Sequence, residues 1–230
     1  MKTDVYWAWN SGSDLALLAG DEPERLTTCI KNERLFKNTG YGKILECPAF
    51  VEQVRNTYVM KAPFDMTLFR SADGAGYKVG HSKFEEQRLI NSTHRHDDYI
   101  QAHEIYSWML FSDTTVNVTV TPPFMHSGML PSVIAGYDIS KWYRPIGPSY
   151  MLEGKNEHLI KSGTPVLYLS FDRAVNFRKY LFNETLMRYS HSNVGLKFVK
   201  PKLSLNRLYA YFTNNKVNKA VSREIKRNLL

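Results

Sequence analysis

The fold is decided by the stretch that begins Thr115-Val-Asn-Val-Thr-Val-Thr121 and ends Gly163-Thr-Pro-Val-Leu-Tyr-Leu-Ser-Phe171. Its first part alternates valine with polar residues and breaks at Pro122-Pro123, and its last part is an apolar run that follows a turn. Alternation with a period of two places the valines on one face of a strand and the polar side chains on the other. The stretch therefore predicts a sheet with one buried face and one solvated face.

Shorter segments before this stretch carry similar signals. Residues 58–61 and 66–70 favour strands, and Ala62-Pro63-Phe64-Asp65 separates them. The glycine-containing segment 71–76 favours a loop or hairpin tip, and Cys47-Pro48 opens a segment that suits one or two helical turns.

Together these segments predict a mainly β protein. We expect a β-sandwich or jelly-roll-like core over roughly residues 40–175, with short helices on its N-terminal side and an amphipathic helical extension on its C-terminal side. Residues 1–180 are expected to form a single β-rich globular domain, and residues 181–230 a basic helical extension packed on it.

Composition narrows the class of protein. The chain has 230 residues, of which 43% are hydrophobic, and this is enough for one sizeable core. It contains no apolar run of the roughly 18 residues that a membrane helix needs, and its first residues lack the apolar segment of a secretory signal. Cys29 and Cys47 have no CxxC spacing, which favours two reduced thiols over a disulfide.

The excess positive charge is confined to one end of the chain. The formal net charge is +8 at pH 7. Residues 1–196 contain 21 Lys and Arg against 21 Asp and Glu, whereas residues 197–230 contain nine Lys and Arg and one Glu. Such an asymmetry is typical of a neutral body whose tail contacts an acidic neighbour or partner.

Two amphipathic helices are predicted within this basic tail. Apolar residues recur at helical spacing in two sets, Leu205, Leu208, Tyr209 and Phe212, then Val217, Val221, Ile225 and Leu229. Asn214-Asn215 separates them as a turn. The other face of the second helix holds Lys219, Arg223, Lys226 and Arg227.

These four cations allow two interpretations. A helix docked on the body with a solvated basic face is the ordinary one. The other is a surface that binds an acidic protein partner or nucleic acid.

Five segments and the ending of the chain carry a resemblance to a known family. The segments are Val5-Tyr-Trp with Glu22-Pro23, Cys47-Pro48-Ala49, Thr121-Pro-Pro-Phe-Met-His126, Ala135-Gly-Tyr-Asp-Ile-Ser-Lys-Trp-Tyr-Arg-Pro145 and Leu159-Ile-Lys-Ser-Gly-Thr-Pro-Val-Leu-Tyr168, and the ending is Val217–Leu230. Together they resemble an uncharacterised protein family of tailed, largely marine bacteriophages. The family has no assigned activity, so the resemblance implies a phage origin and no functional residue.

One constellation has the residue types of a metal site. His96-x-Asp98 has the spacing found in Fe(II)- and 2-oxoglutarate-dependent oxygenases built on jelly rolls, where a distal histidine completes the site. His158 is the candidate third ligand, and Arg173 is a candidate clamp for the carboxylate of the co-substrate. The favoured interpretation is a solvated helix start, in which Asp97 and Asp98 occupy the first turn.

A second cluster lies between two predicted strands. Asp138, Trp142, Tyr143 and Arg144 form a polar and aromatic group in a loop, and loops on a rigid scaffold often bind partners. The competing interpretation is that the two aromatic residues fix the loop to the sheet while Arg144 pairs with Asp138. His126, after Pro-Pro-Phe-Met, is expected to be packed or hydrogen-bonded rather than catalytic.

These observations favour a phage-encoded, non-catalytic binding or assembly protein, either a virion component or a host-directed factor. Its partner is expected to be a protein or the virion, and its location the virion or the host cytoplasm, without a membrane. The first alternative is a cupin or jelly-roll oxygenase that uses Fe(II) and 2-oxoglutarate. The second is nucleic-acid binding through the basic C-terminal helix.

Overall fold

A computed structural model describes residues 2–10, 22–32, 41–71, 74–81, 84–90, 99–101, 107–126, 132, 134–151, 157–199 and 204–230. The strands within these ranges are β1 (Thr3–Asn10), β2 (Glu24–Arg25), β3 (Thr57–Lys61), β4 (Met66–Ser71), β5 (Gly74–His81), β6 (Phe84–Ile90), β7 (Tyr99–Gln101), β8 (Ser107–Phe111), β9 (Asn117–Thr121), β10 (Ala135–Asp138), β11 (Pro145–Ile146), β12 (Ser149–Met151), β13 (Glu157–Ile160), β14 (Pro165–Phe171) and β15 (Val175–Lys179).

The helices in the described residues are fewer and mostly short. They are α1 (Leu26–Asn32), α2 (Pro48–Gln53), α3 (Glu184–Val199), α4 (Leu205–Asn214) and α5 (Val217–Arg227), with a 3-10 helix at Tyr41–Glu46. The prediction of a sheet-rich chain with short helices is confirmed.

Sheet A has the strand order β11-β8-β1-β15, and β1 lies at its centre. β1 runs antiparallel to β8, with Trp9 opposite Trp108, and parallel to β15, with Val5 opposite Phe177. The expected bounds of the β core, roughly residues 40–175, are therefore too narrow at the N-terminal side, whereas α1 is a short helix on that side as expected. Both faces of β1 are buried, so its sequence is a continuous apolar run without alternation.

Sheet B has the order β10-β9-β14-β3-β2 and contains the stretch that decided the fold. Val118 and Val120 of β9 are buried, whereas Asn117 and Thr119 are exposed, so the predicted alternation is confirmed. β14 pairs with β9 on one side and with β3 on the other.

Two smaller sheets complete the β structure of the described residues, with the orders β13-β4-β5-β6 and β12-β7. Ser71 pairs with Gly74, so the predicted hairpin tip lies between β4 and β5. The interpretation of the segment after Asp98 as a helix start is wrong, because residues 99–101 form β7 and pair with β12. That partner is distant in sequence, and local propensity does not encode it.

Sheets A and B share one buried apolar cluster, to which β1 contributes Val5, Trp7 and Trp9. The other face of sheet B is covered by α1 through Leu26, Cys29 and Ile30. The other face of sheet A, which includes Tyr6 and Ala8 of β1, is covered by residues of α3, α4 and α5. The chain therefore stacks helix, sheet, sheet and helix, and α5 belongs to the outer layer on sheet A.

Two further features concern the described residues only. No helix there has the length and apolar character that crossing a membrane requires. Cys29 is buried and Cys47 is exposed, and neither forms a disulfide in the described structure.

Candidate functional site

The two C-terminal amphipathic helices form where the sequence predicts them. Ser204 caps α4 by accepting a hydrogen bond from the Arg207 backbone N–H. The turn at Asn215-Lys216 leads into α5, and Lys216 has a left-handed backbone with φ of 55°. The predicted helices are confirmed, and the turn between them lies one residue later than predicted, because Asn214 ends α4.

The apolar face of α5 holds the helix against sheet A. Val221 and Ile225 are completely buried. They belong to the same cluster as Tyr6, Met109 and Phe111 of the sheet. Because the apolar stripe faces the sheet, the cationic side chains on the opposite side of the helix face outward.

The residues after α5 fix its far end. Leu229, expected to continue the helical stripe, forms an isolated antiparallel bridge with Tyr180 instead. The Leu181 backbone N–H donates to the Asn228 carbonyl at 2.9 Å, and the Leu230 N–H donates to the Lys179 carbonyl at 3.1 Å. These backbone bonds tie the segment after α5 to the segment that leaves β15.

Asp113, in the turn after β8, connects the sheet to α5. Its carboxylate accepts hydrogen bonds from Ser222 Oγ and from Tyr6 Oη, the latter at 3.1 Å, and it forms an ion pair with Lys226 Nζ at 2.8 Å. Partial burial alone would raise the pKa of Asp113, but the hydrogen bonds from Lys226 and Ser222 outweigh it and hold the pKa below its ordinary value. The hydrogen bond between Lys226 and Asp113 also raises the pKa of Lys226.

A cleft of about 440 Å³ lies beside this connection. Its walls come from the turn after β8, from the loop after β10 and from the outward face of α5, and the lining residues are Phe111, Ser112, Asp113, Ser140, Asn218, Lys219, Ser222, Arg223 and Lys226. The lining contains three cations and one carboxylate, so the cleft is electropositive.

The four cations predicted to bind a partner fall into two pairs. Lys226 is held by Asp113, and Arg227 pairs with Glu224 at 3.6 Å. Lys219 and Arg223 are exposed, and neither forms an ion pair with any residue that the structure describes. These two cations, which form no ion pair with a described residue, both line the cleft.

The predicted binding loop around residues 138–144 lies partly in the core. Asp138 is buried, and its Oδ1 accepts from the Ser140 backbone N–H at 2.9 Å and from Ser140 Oγ at 2.6 Å. Its Oδ2 forms an ion pair with Lys141 at 3.1 Å. The expectation that Arg144 pairs with Asp138 is wrong, because Lys141 occupies that position.

Arg144 instead stacks on aromatic rings. Its guanidinium carbon lies 4.6 Å from the ring centroid of Trp142 and 5.7 Å from that of Tyr137. Trp142 and Tyr143 are buried, and the Tyr143 hydroxyl lies 2.8 Å from the Tyr180 hydroxyl. The two aromatic side chains thus pack the loop on sheet A, and Ser140 is the part of this loop that reaches the cleft.

Of the three predicted metal ligands, the described residues include His158. His96 and Asp98 lie outside the described residues, and His158 is half-buried on β13, opposite Leu68 of β4. Arg173, the candidate clamp, is occupied by Asp172 through contacts of 3.0 and 3.2 Å. Within the described ranges no group of three metal-binding side chains occurs. The iron site stays a prediction.

His126 has the role that its sequence context favoured. Its Nδ1 lies 2.7 Å from the hydroxyl of Tyr168, a fully buried residue of β14. The expectation of a hydrogen-bonded histidine is confirmed.

Sequence reasoning missed the uncharged and acidic residues of the cleft. Asp113 and Ser222 are 109 positions apart, and neither stands in a recognisable motif. Their meeting depends on how α5 lies across sheet A, and no local pattern reports that arrangement. Of the residues that line the cleft, the sequence predicted the cations of α5.

Comparisons with known proteins add no family assignment. No protein-family model, no curated protein and no solved structure matches this chain. The resemblance to a phage family therefore stays a prediction, and the functional argument rests on the geometry of the cleft.

Proposed function

We propose that this chain is a non-catalytic binding or assembly protein of a tailed bacteriophage, a virion component or host-directed factor, that docks on an acidic protein partner through α5. The observation that carries the proposal is the pair Lys219 and Arg223, which line the cleft and form no ion pair with any residue that the structure describes. Two exposed positive charges beside a cavity complement an acidic surface.

The anchoring of α5 supports docking over a loosely held tail. Buried Val221 and Ile225, together with the Asp113 connection, hold the helix at a defined position on sheet A. A cationic group that is already positioned loses less conformational freedom on binding than one on a disordered segment. Rigid presentation of charge is what a specific protein interface needs.

On α5 itself, the number of unpaired cations favours a protein partner over nucleic acid. A protein that depends strongly on the phosphate backbone makes roughly six to ten phosphate contacts. On α5 two of the four predicted cations are already held by Asp113 and Glu224. The remaining pair is small for a nucleic-acid surface but suits a few acidic side chains.

The β core has a supporting role in this proposal. We classify the two sheets that share one apolar cluster as a sandwich related to jelly rolls, used as a scaffold that presents surfaces. The proposed location is the virion or the host cytoplasm.

Mass spectrometry of purified virions and of affinity-purified protein from infected cells tests the proposal. We expect the chain in the virion, or in a complex with one stoichiometric acidic partner. Its consistent absence from virions, combined with recovery of no partner, would contradict the proposed function. Recovery with nucleic acid alone, removed by nuclease, would favour the alternative of nucleic-acid binding.

A further inference from the structure

The unpaired donors of the cleft have the arrangement that binds one carboxylate. Lys219 and Arg223 lie four positions apart on α5, and side chains at that spacing have Cβ atoms about 5–6 Å apart. An ammonium and a guanidinium at this separation reach the same oxyanion. The guanidinium binds a carboxylate through two parallel hydrogen bonds, and the ammonium adds a donor from another direction.

The hydroxyl groups of the cleft already have partners within the protein. Ser112 Oγ donates to the Asp4 carbonyl at 3.0 Å, Ser140 Oγ donates to Asp138, and Ser222 Oγ donates to Asp113. These contacts shape the wall and leave it rigid. Two side chains, Lys219 and Arg223, supply the charged donors that line the cleft without an ion pair to a described residue.

Asp113 lines the cleft as one half of an ion pair. Its carboxylate is compensated by Lys226. The remaining charge of the cleft therefore comes from Lys219 and Arg223, which attract an anionic group. On a protein partner, that group is the side-chain carboxylate of an aspartate or a glutamate.

We propose that the cleft is the specificity pocket for one acidic side chain of the partner, an aspartate or glutamate whose carboxylate is bound by Arg223 and Lys219. This inference rests on the proposed function and names the ligand group of that interface. Asp113 is a positioning residue, because it fixes the helix that carries both donors. The volume of about 440 Å³ also admits the residues that flank the acidic side chain.

A peptide titration followed by NMR tests the pocket. The full chain, labelled with nitrogen-15, is titrated with a capped glycine pentapeptide that carries one central glutamate, and in parallel with its glutamine counterpart. We expect saturable shifts at residues 112–113, 140 and 218–223 with the glutamate peptide, and no saturable shift with the glutamine peptide.

Single substitutions of exposed cations separate the pocket from general attraction. Arg223→Gln and Lys219→Gln are each expected to raise the dissociation constant about fivefold, whereas Arg207→Gln, a control on α4 outside the cleft, changes it less than about twofold. All three positions are exposed, so unaltered spectra elsewhere confirm that each variant is folded. Equal increases of the dissociation constant at all three positions, or the absence of saturable shifts, would contradict the proposed carboxylate pocket.

Two further ligands test the choice of anion. Inorganic phosphate and a short single-stranded oligothymidine are titrated under the same conditions, and each is expected to bind the cleft more weakly than the glutamate peptide. Tighter binding of either would reject the carboxylate pocket. If these tests fail while the cellular partner still binds through α5, the carboxylate pocket is rejected and the proposed docking function is retained.

Discussion

Asp113 links α5 to sheet A, because it receives groups from β1 and α5 at once. Tyr6 donates from the sheet, and Ser222 and Lys226 donate from the helix. Desolvation of this half-buried carboxyl opposes its ionisation, yet these donors stabilise the charged form and keep its pKa lowered. The ionised state of Asp113 is therefore coupled to the folded arrangement.

Replacing Asp113 with asparagine tests this coupling. We expect Asp113→Asn to lower the free energy of unfolding at pH 7 by about 1 kcal/mol, since the side chain is partly exposed and solvent screens its ion pair. The folded pKa lies below the unfolded value of 3.8, so the contribution is complete above that value and is lost as the pH falls through the folded pKa.

Urea unfolding of the wild type and of Asp113→Asn at pH 7 and at pH 3 measures the effect. The difference between the two proteins should shrink at the lower pH, while the exposed control Glu46→Gln should differ little from the wild type at either pH. If the difference in free energy of unfolding between the wild type and Asp113→Asn does not depend on pH, the charge of Asp113 does not contribute to stability and the proposed coupling is wrong.

Single residues could be predicted from the sequence when their signal is local, and could not be predicted when their partners are distant in the chain. His126 could be assigned from its neighbours, and Lys219 and Arg223 were found from the periodicity of one helix. Asp113 could not be found, because its partners in β1 and α5 come from opposite ends of the chain. The pairing of Arg144 with Asp138 was wrong for a related reason, since aromatic rings and Lys141 compete for the two side chains.

At the scale of elements, α5 is stabilised mainly by burial of its apolar stripe. Ile225 is completely buried among side chains of sheet A and the neighbouring helices. We expect Ile225→Ala to reduce the free energy of unfolding by about 3 kcal/mol, from lost transfer energy and the cavity that remains.

Leu159→Ala is the matched control for that substitution, because Leu159 is 56% exposed. Its cost should stay below about 0.5 kcal/mol in the same urea titration. If Ile225→Ala proved no more costly than Leu159→Ala, the helix would not depend on its apolar face, and the rigid presentation of its cations would lose its basis.

Elements with one buried face were predictable from their period, and β14 was predictable from an apolar run that follows a turn. β9, α4 and α5 each show the period of their own secondary structure. β1 is covered on both faces, and its consecutive buried residues carry no period. Residues 99–101 form a strand because of β12, about 50 positions away, and no propensity near Asp98 reports that pairing.

At the scale of the whole molecule, the excess positive charge lies in a different part of the chain from the two sheets. The sheets form a neutral body, and the net charge of +8 comes from the last 34 residues. α5 joins the two by burying apolar residues against sheet A while its cations face outward. The composition predicted this division, but the cleft required the three-dimensional contact between α5, the turn after β8 and the loop after β10.

The most direct test of the account is the affinity of the stoichiometric partner for two charge-matched triple variants. One carries Lys219→Gln, Arg223→Gln and Arg227→Gln on α5, and the other carries Arg25→Gln, Lys31→Gln and Lys43→Gln, which neutralise three exposed cations elsewhere. Both lose the same net charge, so any difference between them reports location. The account predicts that the α5 variant binds the partner at least about tenfold more weakly than the wild type, while the other variant stays within about twofold. Equal weakening of both, or unchanged binding by the α5 variant, would contradict docking through this helix.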